Sequence, residues 1–446
     1  MPSLASPLAA LRSLGGTLGR ALRHRNYRLF FAGQSISLIG SWLTRVATSW
    51  LVYRLTGSAW LLGVTGFAGQ IPTFFLAPVA GVWVDRWNRH RVLVVTQALA
   101  MVQSALLAFF ALEGTIGVPH VLALSAFQGF INAFDMPARQ AFVVEMIEDR
   151  ADLANAIALN SSMVNAARLL GPSVAGLLIA GFGEGVCFLV DALSYLAVIG
   201  SLLAMRLRPS PASRKRGRVL ADLAEGFRYA VGVRPIWVVL ALLAAVSLLG
   251  MPYMVLMPMV ATQVLHGGAH TLGFLMGSAG LGALAGALYL ASRRSVLGLG
   301  RIITFSTAVF GGSLAAFALS RAYWLSLILL LGAGFGMMLQ MAASNTLLQT
   351  IVDEDKRGRV MSFYAMAFFG TAPFGSLLAG SVAARIGAPA TVLGGGAACL
   401  LAAGAFSREL PELRRILKPI YVRLGILPAI AEGLEDAATL TAPPEE

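Results

Sequence analysis

Long apolar runs constrain this chain more than any other feature. From Leu29 onward about twelve of them follow one another. Each is near the ~20 residues that a helix needs to cross the hydrocarbon core of a bilayer. The expected spans are 29–53, 60–84, 91–112, 118–139, 153–180, 185–206, 236–262, 270–292, 301–320, 322–348, 359–385 and 388–407. The expected fold class is therefore an all-α membrane protein, with twelve transmembrane helices in two six-helix halves. Composition agrees: 57% of residues are hydrophobic and only 12% are charged, as in a polytopic membrane protein and unlike a soluble one.

The net charge of +13 invites a nucleic-acid reading, but its distribution argues for membrane topology. Lys and Arg gather in alternate loops: Arg86 to Arg91, Arg206 to Arg218, Arg293 to Arg301, and Lys356 to Arg359. The intervening loops 113–120, 181–185 and 263–270 have neither. Such asymmetry places the basic loops and both termini in the cytoplasm; Arg321 and Arg385 are exceptions on the outer side. Cys187 and Cys399 fall in apolar runs, so no disulfide framework is expected. No Walker loop, HExxH or GxSxG is present, and Gly332-Ala333-Gly334-Phe335-Gly336 lies inside a span, where it reads as close helix packing. The histidines His24, His90, His120, His266 and His270 are scattered. No catalytic residue, metal or cofactor is expected.

The organisation follows. Residues 1–207 form a first bundle with a basic tail (Arg12, Arg20, Arg23, Arg25). Residues 208–235 are a linker, in which Pro209 and Pro211 stop the sixth span and Leu220, Leu223, Phe227 and Val231 recur at helical spacing opposite Asp222, Glu225 and Arg228. That pattern is an amphipathic helix on the inner leaflet. Residues 236–408 form the second bundle. The tail 409–446 carries Leu413, Ile416, Leu417, Ile420, Tyr421 and Leu424 on one face, as a second interfacial helix before an acidic, disordered end. The stretch FVVEMIEDRADLANAIALNSSMVNAARLLGPSVAGLLIAGFG repeats in the second bundle as LLQTIVDEDKRGRVMSFYAMAFFGTAPFGSLLAGSVAARIG. Two six-span halves related by a repeat resemble the layout of facilitator transporters, which implies a substrate site between the halves at the midplane.

One loop is more ordered than a water-facing loop needs to be: GVWVDRWNRHRVL, from Gly81 to Leu93. Gly81 and Asp85 share one face of a helix end; the small residue admits a neighbouring helix, whose positive N-terminus the carboxylate can face. The loop, with Arg86 and Arg89, resembles the signature between the second and third helices of the major facilitator superfamily. Asn88 stands where that signature has Gly, and Asn also tolerates a left-handed turn. Gly171-Pro172-Ser173-Val174-Ala175-Gly176 resembles the Gly-Pro-x-x-x-Gly signature of facilitator antiporters, with Gly171, Pro172 and Gly176 as its defining positions. PARQAFVVEM, the stretch through Gly176, Gly33-Gln34 and CFLVDALSYLAV are similar to the transmembrane secretion effector group, the enterobactin-exporter-like branch. The resemblance spans nearly all of residues 20–408. Asp191 stands where that group has Asn, so no role for it is implied by the family.

Ionisable residues deep in spans are functional candidates. Four stand out: Arg45, Asp135, Arg168 and Asp191. Asp135, Asp85 and Arg89 share the cytoplasmic level, where a carboxylate–guanidinium–carboxylate cluster would latch an inner gate; an inconsequential surface pair is the alternative. Arg45 and Asp191 lie at comparable depth, as a pair or each facing the cavity alone. Asp191, Arg45 and Arg168 are thus the proton-coupling candidates. Gln34, Trp42, Met251, Met254, Met257, Gln340 and Met341 are candidates for the substrate cavity, methionine being adaptable; core packing is the alternative for the methionines.

The function expected is a secondary active transporter of the bacterial inner (cytoplasmic) membrane. It is read as a proton-coupled exporter of a small amphipathic molecule, such as a siderophore or drug, working by alternating access. The expected partners are a small-molecule substrate, protons as coupling ion and membrane lipids, with no nucleic acid. The alternatives are a facilitator-type importer, or a membrane-embedded enzyme or lipid-handling protein.

Overall fold

The computed structural model describes residues 19–207, 219–293, 295–424 and 426. The basic tail around Arg12, the Pro209/Pro211 stop and the acidic end lie outside the described residues. Among the described residues there are helices and no strands. The helices are α1 (Arg25–Thr56), α2 (Ala59–Arg86), α3 (Arg89–Leu112), α4 (Val118–Met146), α5 (Leu153–Phe182), α6 (Glu184–Leu203), α7 (Val219–Gly232), α8 (Arg234–Ala245), α9 (Tyr253–Met259), α10 (Ala269–Ser292), α11 (Leu299–Leu319), α12 (Tyr323–Ile351), α13 (Glu354–Ala365), α14 (Ala372–Ile386) and α15 (Ala388–Arg423). Among the described residues, ten helical stretches are long and apolar enough to cross a membrane. Two further helices, α1 and α4, have 32 and 29 residues. They carry more polar side chains and pack against α6 and α2.

Local chemistry explains the joints. The Ser58 hydroxyl accepts from the Leu61 N–H at 3.3 Å and opens α2. Gly57 ends α1 at φ 61°, a left-handed position that suits glycine. Asn88 is extended rather than left-handed (φ −70°, ψ 108°), and its side chain caps α3 by accepting from the Arg91 N–H at 3.0 Å. Asn therefore replaces the usual Gly here as an N-cap, which corrects the turn-based expectation.

Two long rods are interrupted by π-helical turns. Val246–Gly250 joins α8 towards α9, Val260–Val264 extends α9, and Met366–Gly370 joins α13 to α14. Such turns free carbonyls from the regular ladder. The Ser247 hydroxyl donates to the Phe368 carbonyl, tying one interrupted rod to the other.

The linker helix α7 docks on α13. Glu225 pairs with Arg359 at 2.6 Å. Phe227 meets Phe363 at 6.0 Å between ring centroids. Tyr229 donates to Asp353 at 3.3 Å under the Lys356 ammonium, which lies 4.6 Å from its ring. Burial, then the neighbouring Asp353 carboxylate, pushes the Tyr229 phenol above its ordinary range. Phe227, despite that contact, and Val231 keep exposed surface.

At the C-terminus the structure departs from expectation. The last span and the tail helix are one continuous α15 of 36 residues. Leu413, Leu417 and Tyr421 are buried against the protein, and Arg234 grips Glu409 through two bonds of 3.0 and 3.1 Å. The apolar face reads as interfacial in sequence because lipid and protein select the same residues.

Candidate functional site

Arg86 to Arg91 joins α2 to α3 beside the end of α6, where His90 Nε2 lies 2.8 Å from the Leu202 carbonyl oxygen. There α2 ends at Arg86 and α3 begins at Arg89. Arg89 Nη2 donates to Asp85 at 3.1 Å and Nη1 donates to Glu145 at 2.7 Å. A carboxylate–guanidinium–carboxylate cluster is present, but Glu145 of α4 supplies the second carboxylate in place of Asp135. Asp135 is buried and pairs with Arg139 of its own helix; it also accepts from Thr96 at 2.9 Å and Gln97 at 2.7 Å. The i,i+4 spacing of Asp135 and Arg139 is the signal that identifies this pairing. A Cβ built on Gly81 meets nothing within 4 Å, so no neighbouring helix occupies the notch in this conformation. Arg86 lines the rim of an apolar groove of about 700 Å³ beside the loop, with Trp83, Trp87 and Phe134 on its wall.

At the opposite end the two sets of helices touch backbone to backbone. A Cβ on Gly176 would lie 2.7 Å from the Ala269 carbonyl oxygen and 2.9 Å from Gly273 Cα. One on Gly63 would lie 2.7 Å from the Ser376 carbonyl oxygen and 2.9 Å from Gly380 Cα. These are two seams, α5 on α10 and α2 on α14. Pro172 sits inside α5, and its carbonyl faces Gly273. Gly171 packs on α1: a Cβ there would come within 2.4 Å of Trp42 Cβ. The Gly-Pro-x-x-x-Gly stretch thus forms a helix junction.

Asp191 and Arg45 do not pair. Asp191 is 1% exposed and accepts from Thr44 at 2.7 Å, from Ser104 at 2.7 Å and from Ser194 at 3.5 Å. Its carboxylate sits in a hydroxyl cradle between α1, α3 and α6 with no cation. Arg45 points elsewhere, over the Trp42 ring at 4.7 Å. It lies deep in the bundle yet keeps open surface, so it faces internal space. The Arg168 guanidinium is close enough to repel it, and Tyr253 of α9 is close enough to Arg168 to interact with its charge. Arg168 Nη1 is buried without a hydrogen-bond partner.

The cavity candidates divide. Trp42, Met251, Met254 and Met341 are half-buried. Gln34, Met257 and Gln340 are buried at 2%, 0% and 1% exposure, which corrects their expected place on a cavity wall. Residues three apart rotate by about −60° per step on a helix, so the Met251/Met254/Met257 stripe turns into the core by its third member. Glu145 is the residue that the sequence reading missed.

Comparisons with known proteins follow the same lines. Residues 18–417 match a family described as transmembrane secretion effector. The chain is similar to the staphyloferrin A transporter of Staphylococcus aureus, with 24% identity over 79% of this chain and 88% of that one. It is also similar to the multidrug efflux pump Tap of Mycolicibacterium fortuitum, with 29% identity over 84% of this chain and 93% of that one. Among solved structures it resembles a bacterial homologue of the iron transporter ferroportin in an inward-facing state, with TM-score 0.64, 18% identity, and 87% and 98% of the two chains covered. It likewise resembles the nucleoside transporter NupG, with TM-score 0.64, 14% identity, and 87% and 99% covered.

Proposed function

The chain belongs to the transmembrane secretion effector family of the major facilitator superfamily, a membrane transporter and not an enzyme, and from that premise we propose that it exports small amphipathic molecules by alternating access. In this reading α1 to α6 and α8 to α15 are two halves of six spans each, joined by α7. The Arg-rich end faces the cytoplasm, both termini lie there, and the membrane is the bacterial inner membrane.

The observation that carries this reading is the pair of seams. Glycine contacts between the halves lie at the end away from the basic loops, while Gly81 at the basic end faces open space. That arrangement suits an inward-open state, closed outside by α5 on α10 and α2 on α14. In the outward-open state the seams part, and the Gly81 notch receives a helix of the other half. The Asp85–Arg89–Glu145 cluster then latches that closure. Relatives named as a transporter and an efflux pump favour export of siderophore-like or drug-like substrates.

Protons are the coupling ion in this scheme, and Asp191 is the carrier. A buried carboxylate served only by hydroxyls tolerates both protonation states, since a hydroxyl can donate to the anion or accept from the acid. Profiling the medium and cytoplasm of a deletion strain tests the export reading. At least one compound should leave the medium and build up inside cells. The reverse pattern, a compound left unconsumed in the medium, would make the protein an importer.

A further inference from the structure

The first six helices hold two interior guanidiniums that no carboxylate neutralises. The nearby acids are committed: Asp191 to Thr44, Ser104 and Ser194, Asp135 to Arg139, and Glu184 to Arg54 at 2.7 Å. Arg45 lies over the Trp42 ring, and Trp42 packs on Gly171, one turn from Arg168, so the two like charges act on each other across that contact. An unpaired charge inside a membrane protein is costly, and an unpaired couple more so. Arg168 Nη1 has no partner at all. Around them stand the Trp42 ring, 4.7 Å from the Arg45 guanidinium, and the buried Tyr253, which the half-buried Met254 follows in the chain. The Arg168 carbonyl lies against Gly280 at the inner end of the α5–α10 seam, so this cluster sits where the closed end begins.

We propose that Arg45, Arg168, Tyr253 and Trp42 form a binding site for an amphipathic anion, a carboxylate or similar oxyanion carried on an apolar body. This rests on the exporter reading and names its substrate class. The guanidiniums present forked donors that match a carboxylate bidentately. The ligand's charge relieves their repulsion, and Trp42, Tyr253 and Met254 cover its apolar part.

The test uses three probes of one shape: 1-naphthoate, 1-naphthylmethanol and 1-naphthylmethylammonium. Each is titrated calorimetrically into purified full-length protein in detergent. Naphthoate should bind at least tenfold more tightly than the other two. Arg168→Gln and Arg45→Gln should each weaken it about tenfold, equivalent to about 1.4 kcal/mol, without affecting the neutral probe. Arg168→Lys keeps the charge and should recover part of the affinity, which a variant damaged in folding would not do. Any other ranking, including no naphthoate binding up to its solubility limit, overturns the proposal. Displacement of naphthoate by phosphatidylglycerol in the micelle would assign the site to a lipid headgroup and also overturn it. Anion-selective binding in a protein that exports nothing would leave the site standing and remove the exporter reading. Export of neutral or cationic compounds alone would do the opposite.

Discussion

Gly273→Ala should shift the protein away from the conformation described here. A Cβ at this position would stand 2.5 Å from the Pro172 carbonyl oxygen and 2.8 Å from Gly176 Cα. Carbon contacts are comfortable at ~3.5–4.0 Å, so α5 and α10 must part by about 1 Å. Both obstructing atoms are backbone, and no side chain can swing aside. Overpacking of this kind costs ~1–3 kcal/mol, and the cost falls only on the state in which the seam is closed. At about 2 kcal/mol the ratio of closed to open seams changes about 30-fold. Spin labels on Glu113→Cys and Arg321→Cys, both exposed beyond the seam end, report this by pulsed dipolar spectroscopy. The two native thiols, Cys187 and Cys399, are buried. The Gly273→Ala protein should add a longer-distance population and transport more slowly. A distance distribution identical to that of the parent would refute the seam as a conformational barrier.

Glu145→Gln should lower transport more than Asp85→Asn, because the Arg89–Glu145 bond is the shorter and the better shielded; exposed pairs such as Asp85–Arg89 contribute only ~0.3–0.5 kcal/mol. Flux in proteoliposomes ranks the two variants, and equal loss would contradict that order. Asp191→Asn should keep the fold, with a stability loss of ~1–2 kcal/mol from re-pairing the cradle hydroxyls, while flattening the dependence of flux on an imposed pH gradient; unchanged gradient dependence would make Asp191 a structural anchor. Met257→Ala should destabilise the protein by ~2–5 kcal/mol, whereas Met254→Ile should narrow the substrate range with little effect on melting temperature.

Depth along a helix was legible in the sequence, but rotation about its axis was not. Apolar run length locates Arg45 and Asp191 at similar depth. Yet Thr44 and Arg45, about 100° apart on one helix, look in different directions, and it is Thr44 that meets Asp191. The Arg89 cluster shows the same division. Asp85 and Arg89 share a helix-end register that spacing alone reveals. The choice between Asp135 and Glu145, about 15 Å apart along α4, depends on how α3 and α4 pack. The unpaired state of Arg45 and Arg168 is a property of the whole bundle, visible only once every neighbouring acid has a partner.

Directional flux is the measurement that decides whether this protein exports. Everted membrane vesicles turn the cytoplasmic face outward, so an exporter loads them from the medium. Vesicles with the protein and an inward-acid pH gradient should accumulate the compound found by profiling, and an uncoupler should release it. Accumulation confined to right-side-out vesicles, or equal in vesicles lacking the protein, would contradict export by alternating access.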